Sequence, residues 1–171
     1  DASVDEDGTV NIGAAIGITF GDPDGSEVLT DVTVSGFPAG SVVTYTDVSG
    51  TLQTINVPTN GFSISLNGGT EAQIRAALAT MTVPPPPHSD VNIPLNVQAT
   101  MVDGGTSTLT NDADFVVDVA AIADPATLTS PAHSGVEDQD IPLPFQVAHP
   151  DVDGTEVVET VVITGVPDGF N

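Results

Sequence analysis

The chain has 171 residues, a length typical of one domain and part of a second. A single basic residue, Arg75, stands against 24 Asp and Glu, and the formal charge of −23 excludes binding to the phosphate backbone of nucleic acids or to anionic lipid. The absence of Cys excludes disulfides and thiolate metal sites, while 39% apolar residues predict a folded chain. No apolar run approaches the roughly 18 residues of a spanning helix, so we expect no membrane insertion.

Short β-branched runs, with apolar residues at every second position, predict strands along most of the chain. Turn residues such as Asn60-Gly61 separate these runs at fairly regular spacing, which is typical of a β-sandwich. The runs cover residues 10–12, 32–34, 41–45, 62–66 and 91–97.

One helix is predicted within this β pattern, over residues 70–79. Thr70 and Gln73 have the spacing of a capping box at its start. Arg75 follows Glu71 by four positions, the favoured orientation for an ion pair on a helix. We therefore assign the basic residue a structural role.

A long final strand is predicted over residues 111–121, because apolar residues occupy the odd positions from Ala113 to Val119. Asp124-Pro125 follows without strand periodicity, which indicates a linker. We therefore expect a complete domain at residues 1–124. Residues 125–171 would hold the linker and the first strands of a second, similar domain.

Three blocks of the first domain recur in the same order in the second. Residues 6–12 match 137–143 at an offset of 131 positions, and residues 22–27 and 36–40 match 151–156 and 165–169 at an offset of 129. This near-constant register indicates a tandem repeat. Two strands cannot bury a sheet face alone. We expect residues from about 126 onward to be poorly ordered unless another polypeptide completes the fold.

The pattern Asp-x-Asp-Gly-Ser/Thr-Glu occurs in both copies and places three carboxylates on one tight turn. A hard cation with six to eight oxygen ligands, such as Ca²⁺, suits this arrangement. The residues are Asp22, Asp24 and Glu27 in the first copy and Asp151, Asp153 and Glu156 in the second. Solvated turns, or a halophilic surface charged throughout, are the alternative interpretations.

The usual order of sandwich strands predicts where these carboxylates lie. With a Greek-key order, we expect the turn holding Glu27 at the same end as the chain exit near Asp124. The start of the second copy, with Glu137 and Asp138, would then be within reach. A shared ion would clamp one domain to the next.

A second acidic pole is expected at the opposite end of the first domain. There Glu6 and Asp7 would meet the late turn at Asp103. These residues would form half of an equivalent cation site, directed toward a preceding domain.

The order of these motifs resembles the tandem cadherin-like or immunoglobulin-like extender repeats of giant bacterial adhesins, similar to repeats-in-toxin proteins exported by type I secretion. The matching features are the Glu6-Asp7 opening, the turn at 22–27, Gly-Phe-Pro-Ala-Gly at 36–40, the helix followed by residues 82–85, the strand at 90–100 and residues 121–126. The resemblance implies an all-β, immunoglobulin/cadherin-like Greek-key sandwich. It also implies calcium at the linkers, which stiffens the string of repeats and holds a ligand-binding tip away from the cell.

We therefore predict a calcium-stiffened extender of a large bacterial surface adhesin that supports cell adhesion or biofilm formation. Its partners would be neighbouring repeats of the same chain, and the fragment would be monomeric, extracellular and attached to the cell surface through its parent protein. A calcium-dependent module of a secreted protein that binds a glycan or a protein is the alternative. Catalysis is not expected, since no Ser/His/Asp grouping is present and the spacings of His88, His133 and His149 match no zinc motif.

Overall fold

The computed structural model describes residues 1–19, 25–136 and 139–165. The chain divides into two compact units, Asp1–Ile122 and Ala123–Asn171, which are called here the first and the second unit. The division falls two residues before the boundary predicted near residue 124. Strands hold 40% of the described residues and helix 6%, so the all-β class is confirmed.

The first unit is a β-sandwich with one short helix. Its elements are β1 (Ala2–Asp5), β2 (Val10–Asn11), β3 (Glu27–Ser35), β4 (Val42–Thr46), β5 (Leu52–Asn56), β6 (Ser63–Asn67), α1 (Glu71–Ala79), β7 (Thr82–Val83), β8 (Ile93–Asp103) and β9 (Ser107–Ala120). A five-stranded sheet in the order β1-β9-β8-β3-β6 packs on a four-stranded sheet in the order β2-β7-β4-β5. Strand β1 runs parallel to β9, and the other pairs are antiparallel.

The predicted strands correspond to β2, β3, β4, β6, β8 and β9. Strands β1, β5 and β7 were not predicted, because β1 and β7 are short and β5 is an edge strand without fully buried residues. Strand β9 starts at Ser107, earlier than predicted, since its hairpin with β8 continues to the pair Asp103 and Ser107. Local periodicity therefore missed the edge strands β1 and β5 and the two-residue strand β7.

The core of the first unit lies between the two sheets. Leu29, Val32 and Val34 of β3 are fully buried. The register shift between Leu29 and Asp31 turns Val32 to the same face as Leu29, although the two are three positions apart. The same buried cluster includes Val43, Ile64, Leu66, Ile74, Met81, Val83, Ile93, Leu95 and Val117.

Helix α1 has the predicted capping box. Thr70 Oγ1 accepts the Gln73 backbone N–H at 3.4 Å, and Gln73 Oε1 accepts the Thr70 N–H at 2.9 Å. Ile74, Ala77 and Leu78 are buried where the helix contacts β3, β4 and β6. The helix therefore covers the edge between the two sheets.

The predicted ion pair on the helix is also present. Arg75 Nε lies 2.6 Å from Glu71 Oε1, and Arg75 Nη1 donates to the carbonyl oxygen of Ile18 at 2.9 Å. The basic residue thus ties α1 to the segment after β2, which agrees with a structural role.

The second unit contains one small sheet of β10 (Thr127–Thr129) and β11 (Gln146–Ala148), paired antiparallel. Its apolar side chains are largely exposed: Leu128, Val136, Ile141, Leu143, Phe145, Val152, Val157, Val158, Val161, Val162 and Ile163. In the described parts of both units, no helix has the length and apolarity needed to cross a membrane.

Candidate functional site

The structure sorts the predicted cation ligands into three groups. Asp22, Asp24, Glu137 and Asp138 lie outside the described residues. The other eight are found in two groups of the first unit and one group of the second. The first-unit groups are Glu27 with Asp103 and Glu6 with Asp7, and the second-unit group is Asp124, Asp151, Asp153 and Glu156.

Glu27 and Asp103 lie side by side at one end of the five-stranded sheet. They are register partners where β3 begins and β8 ends. Ser26 Oγ donates a hydrogen bond to Asp103 Oδ1 at 2.6 Å, and Glu27 Oε2 is shielded from solvent. Ser26 and Glu27, the last two residues of the first acidic motif, therefore lie against the hairpin of β8 and β9.

The predicted distribution of carboxylates between the two poles is wrong. Asp103 lies beside Glu27, whereas Glu6 lies at the other end, where its N–H donates to Ala120 O at 2.9 Å. Residues 107 and 120 of β9 are separated by about 43 Å at about 3.3 Å per residue. Both β3 and β9 run antiparallel to β8, so the chain exits at the end of β3 opposite to Glu27.

Glu6 and Asp7 occupy the pole at which β9 ends. Glu6 is 8% exposed, and its Oε1 accepts the backbone N–H of Ile122 at 2.5 Å. Asp7 Oδ1 accepts the His88 N–H at 3.1 Å, and Asp7 Oδ2 lies 3.5 Å from His88 Nδ1. Asp7 and His88 both have positive φ, 59° and 55°. Sequence analysis missed this contact, because the two residues are distant in the chain and only the Asp7-Gly8 turn marks one of them.

In the second unit, Asp151 organises the turn of the repeated motif. Its Oδ1 accepts the N–H of Asp153 at 3.0 Å, and its Oδ2 accepts the N–H groups of Gly154 at 2.9 Å and Glu156 at 3.1 Å. Thr155 donates to Asp153 Oδ1 through its N–H and its hydroxyl, at 3.2 and 2.9 Å. The positive φ of Gly154, 88°, lets the chain fold tightly around these carboxylates.

Glu156 links this turn to the start of the second unit. Its Oε1 accepts the backbone N–H of Asp124 at 2.6 Å. Its Oε2 is buried and has no hydrogen-bond partner among the described residues. Burying a carboxylate oxygen without a partner destabilises the folded state, unless a cation or a hydrogen-bond donor lies beside it. This hydrogen bond joins two predicted ligands that are 32 positions apart in the chain, through the backbone of Asp124 and not through its carboxylate.

The second-unit group fits a hard cation better than a softer metal. Its donors are carboxylate oxygens, the ligands that Ca²⁺ prefers, and no sulfur is present because the chain has no Cys. The buried Glu156 Oε2 supplies an oxygen whose charge lacks compensation. Asp151, Asp153 and Glu156 therefore offer carboxylate oxygens of the kind that such an ion prefers.

A shallow groove lies on the inner face of β8 and β9 in the first unit. It measures about 270 Å³. Its lining includes Ile16 and Ile18 from the segment after β2, Ala99 and Met101 of β8, and Phe115 of β9.

Comparisons with protein-family models, with curated proteins and with solved structures returned no match for this chain.

Proposed function

We propose that the chain is a calcium-stiffened spacer from a large secreted bacterial adhesin, with neighbouring repeats of the same polypeptide as its partners. The observation that carries the proposal is the buried Glu156 Oε2, which lacks a hydrogen-bond partner within the described residues. The same acidic turn recurs in both copies, as expected for a framework element of a repeat. The adhesin context comes from the resemblance of the motif order.

A cation at the second-unit group would act through stability and stiffness. Asp151 is already held by three backbone N–H groups, so its carboxylate loses little freedom when it binds an ion. Ca²⁺ at about 100 times its Kd adds about 2.7 kcal/mol to the folded state, provided that the unfolded chain does not bind it. Each ion also neutralises two of the negative charges that oppose compaction.

The arrangement of acidic groups in the first unit suits a spacer. Glu27 with Asp103, and Glu6 with Asp7, lie at opposite ends of the five-stranded sheet. Cations bound at both ends of a sandwich would stiffen the places where a tandem array bends most easily. A module with one ligand-binding site would need an acidic group at that site only, so acidic groups at both ends favour the spacer.

The test is thermal unfolding of the full chain in EDTA and in a Ca²⁺ titration, with Mg²⁺ at matched ionic strength. We expect a rise in Tm that is selective for Ca²⁺. Glu156→Gln and Asp151→Asn should remove most of the rise that comes from the second unit. Glu159→Gln is the matched control, because Glu159 is exposed and belongs to none of the acidic groups.

Equal responses to Ca²⁺, Mg²⁺ and NaCl would contradict the proposal and favour a surface acidic for solvation alone. The same conclusion would follow if Glu159→Gln reduced the Ca²⁺ response as much as Glu156→Gln. Isothermal titration calorimetry at constant ionic strength would then separate site binding from general screening.

A calcium-dependent ligand-binding module is the second candidate, and the groove over β8 and β9 favours it. Its apolar lining residues, which include Ile16, Met101 and Phe115, suit a small ligand with one apolar face, as in many sugars. Glycan-array binding that requires Ca²⁺ and is lost in Ala113→Trp would support this function. A chain that stiffens with Ca²⁺ but binds no glycan would support the spacer.

A further inference from the structure

Residues 156–164, named here the acceptor segment, are the sequence copy of β3. The offset of 129 positions that relates the two acidic turns continues through this segment. Glu27-Val28 recurs as Glu156-Val157. The buried β3 residues Leu29, Val32 and Val34 correspond in order to Val158, Val161 and Ile163.

The two copies differ sharply in burial. The three β3 residues are 0% exposed, whereas Val158, Val161 and Ile163 are 45%, 40% and 55% exposed. Strand β3 lies between β8 and β6 in its sheet. Among residues 139–165, no strand pairs with the acceptor segment, and β10 and β11 pair only with each other. The acceptor segment therefore has the apolar side chains of a central strand, but no strand pairs with it among the described residues.

The pattern of the acceptor segment also matches the irregularity of β3. Leu29 and Val32 share one face because of the bulge near Asp31. Val158 and Val161 keep the same spacing of three positions. The β-branched residues of the acceptor segment favour a strand over other structures. The sequence of this segment thus suits a bulged strand like β3.

We propose that the acceptor segment binds an antiparallel strand of the β8 type. The β3–β8 interface of the first unit defines the partner, since it pairs eight positions from Glu27–Asp103 to Ser35–Asn96. The partner therefore carries apolar residues at alternate positions, as Leu95 and Val97 do in β8. Backbone hydrogen bonds supply affinity in strand addition, and the alternate side chains supply specificity.

The register of this pairing brings the partner strand close to the candidate cation site. A β8-type strand in the register of the first unit places its acidic residue, the equivalent of Asp103, opposite Glu156. Strand addition would then supply a further carboxylate beside the buried Oε2 of Glu156. The pairing itself goes beyond the spacer function and does not depend on Ca²⁺.

The experiment uses the full chain and a synthetic peptide with the sequence of residues 91–105, and it measures amide hydrogen exchange by mass spectrometry. We expect the peptide to slow exchange at residues 157–164 in EDTA and in Ca²⁺. The double variant Val161→Asp/Ile163→Asp should lose this protection. Val162→Thr is the matched control, because it introduces the residue that β3 has at Thr33 and should keep the protection.

A control peptide with Leu95→Asp and Val97→Asp should not protect the acceptor segment, since its inward face is charged. The proposal is overturned if the native peptide leaves exchange at residues 157–164 unchanged, or if both peptides protect equally. It is also overturned if these residues become protected as the chain alone is concentrated, because a second copy would then be the occupant. Protection without any selective effect of Ca²⁺ on Tm would retain the acceptor segment and reject the spacer.

Discussion

At the scale of single residues, Asp47 shows how one carboxylate organises a turn. Its Oδ1 accepts the N–H of Ser49 at 2.9 Å, the Ser49 hydroxyl at 2.6 Å and the N–H of Thr51 at 3.0 Å. Its Oδ2 accepts Gln53 Nε2 at 2.7 Å. These bonds, led by that from the Ser49 hydroxyl, lower the pKa of Asp47 from 3.8 to about 2. The charged form is therefore preferred in the folded state.

A lowered pKa in the folded state predicts a particular pH dependence. The stabilising effect of Asp47 should be complete above the unfolded pKa of 3.8 and be lost as the pH falls toward about 2. We expect Asp47→Asn to lower Tm at pH 5, and we expect the wild-type and variant values to converge between pH 4 and about 2. Thermal unfolding followed by circular dichroism measures both effects.

Asp112→Asn is the matched control for Asp47→Asn, because it removes the same charge from an exposed position of β9. It should leave the difference in Tm between pH 5 and pH 2 close to that of the wild type. A Tm gap between Asp47→Asn and the wild type that stayed constant across this range would show that the hydrogen bonds of Asp47 do not favour its charged form.

At the scale of elements, the packing of α1 depends on a close approach by the loop after β2. A Cβ atom at Gly13 would lie 1.6 Å from the carbonyl oxygen of Leu78, near the end of the helix. The Gly13 N–H donates to Met81 O at 3.3 Å, which fixes the loop in this place. The φ of Gly13 lies outside the left-handed region, so space rather than backbone conformation requires glycine here.

Gly13→Ala should therefore destabilise the first unit, because the loop or the helix end has to move. We expect a loss of about 1–3 kcal/mol in the free energy of unfolding, the usual range for overpacking. Gly17→Ala is the matched control, since a Cβ at Gly17 has no atom within 4 Å. It should change stability by about 0.5 kcal/mol or less. Urea unfolding of both variants measures the difference, and equal values would disprove the close approach.

At the scale of the whole molecule, the apolar core belongs to the first unit. The buried apolar residues of the described chain all lie between Val10 and Val117. The second unit instead exposes large side chains such as Val136 and Val152, each 70% exposed. A two-stranded sheet buries too little area to be stable alone. The first unit thus contains the elements that a cooperative fold needs.

A fragment of residues 1–122 should accordingly fold without the second unit. We expect one cooperative thermal transition at the midpoint of the main transition of the full chain, because the core is complete within the fragment. In EDTA, a fragment of residues 123–171 should unfold without a cooperative transition. Calorimetry of both fragments in the same buffer measures this, and a 1–122 fragment that fails to unfold cooperatively would contradict the prediction.

Features that depend on near neighbours in the chain could be predicted from the order of the amino acids. Alternating apolar residues located β3, β4, β6 and β8, and the spacing of Thr70 and Gln73 located the start of α1. The recurrence of the acidic turn identified Asp151, Asp153 and Glu156 as a group before the structure brought Asp124 to it. Periodicity and capping are local, so they can be read from residues a few positions apart.

Contacts between residues distant in the chain could not be predicted in this way, because they depend on how the strands pair. The pairing of β3 with β8 placed Asp103 beside Glu27, and the parallel pairing of β1 with β9 placed Glu6 at the opposite end. The contact of Asp7 with His88 depends on the same long-range pairing. Strand direction and order are set by the burial of whole sheet faces, for which the local sequence holds no signal. The positions of the acidic groups at the two ends of the first unit are therefore set by its strand order.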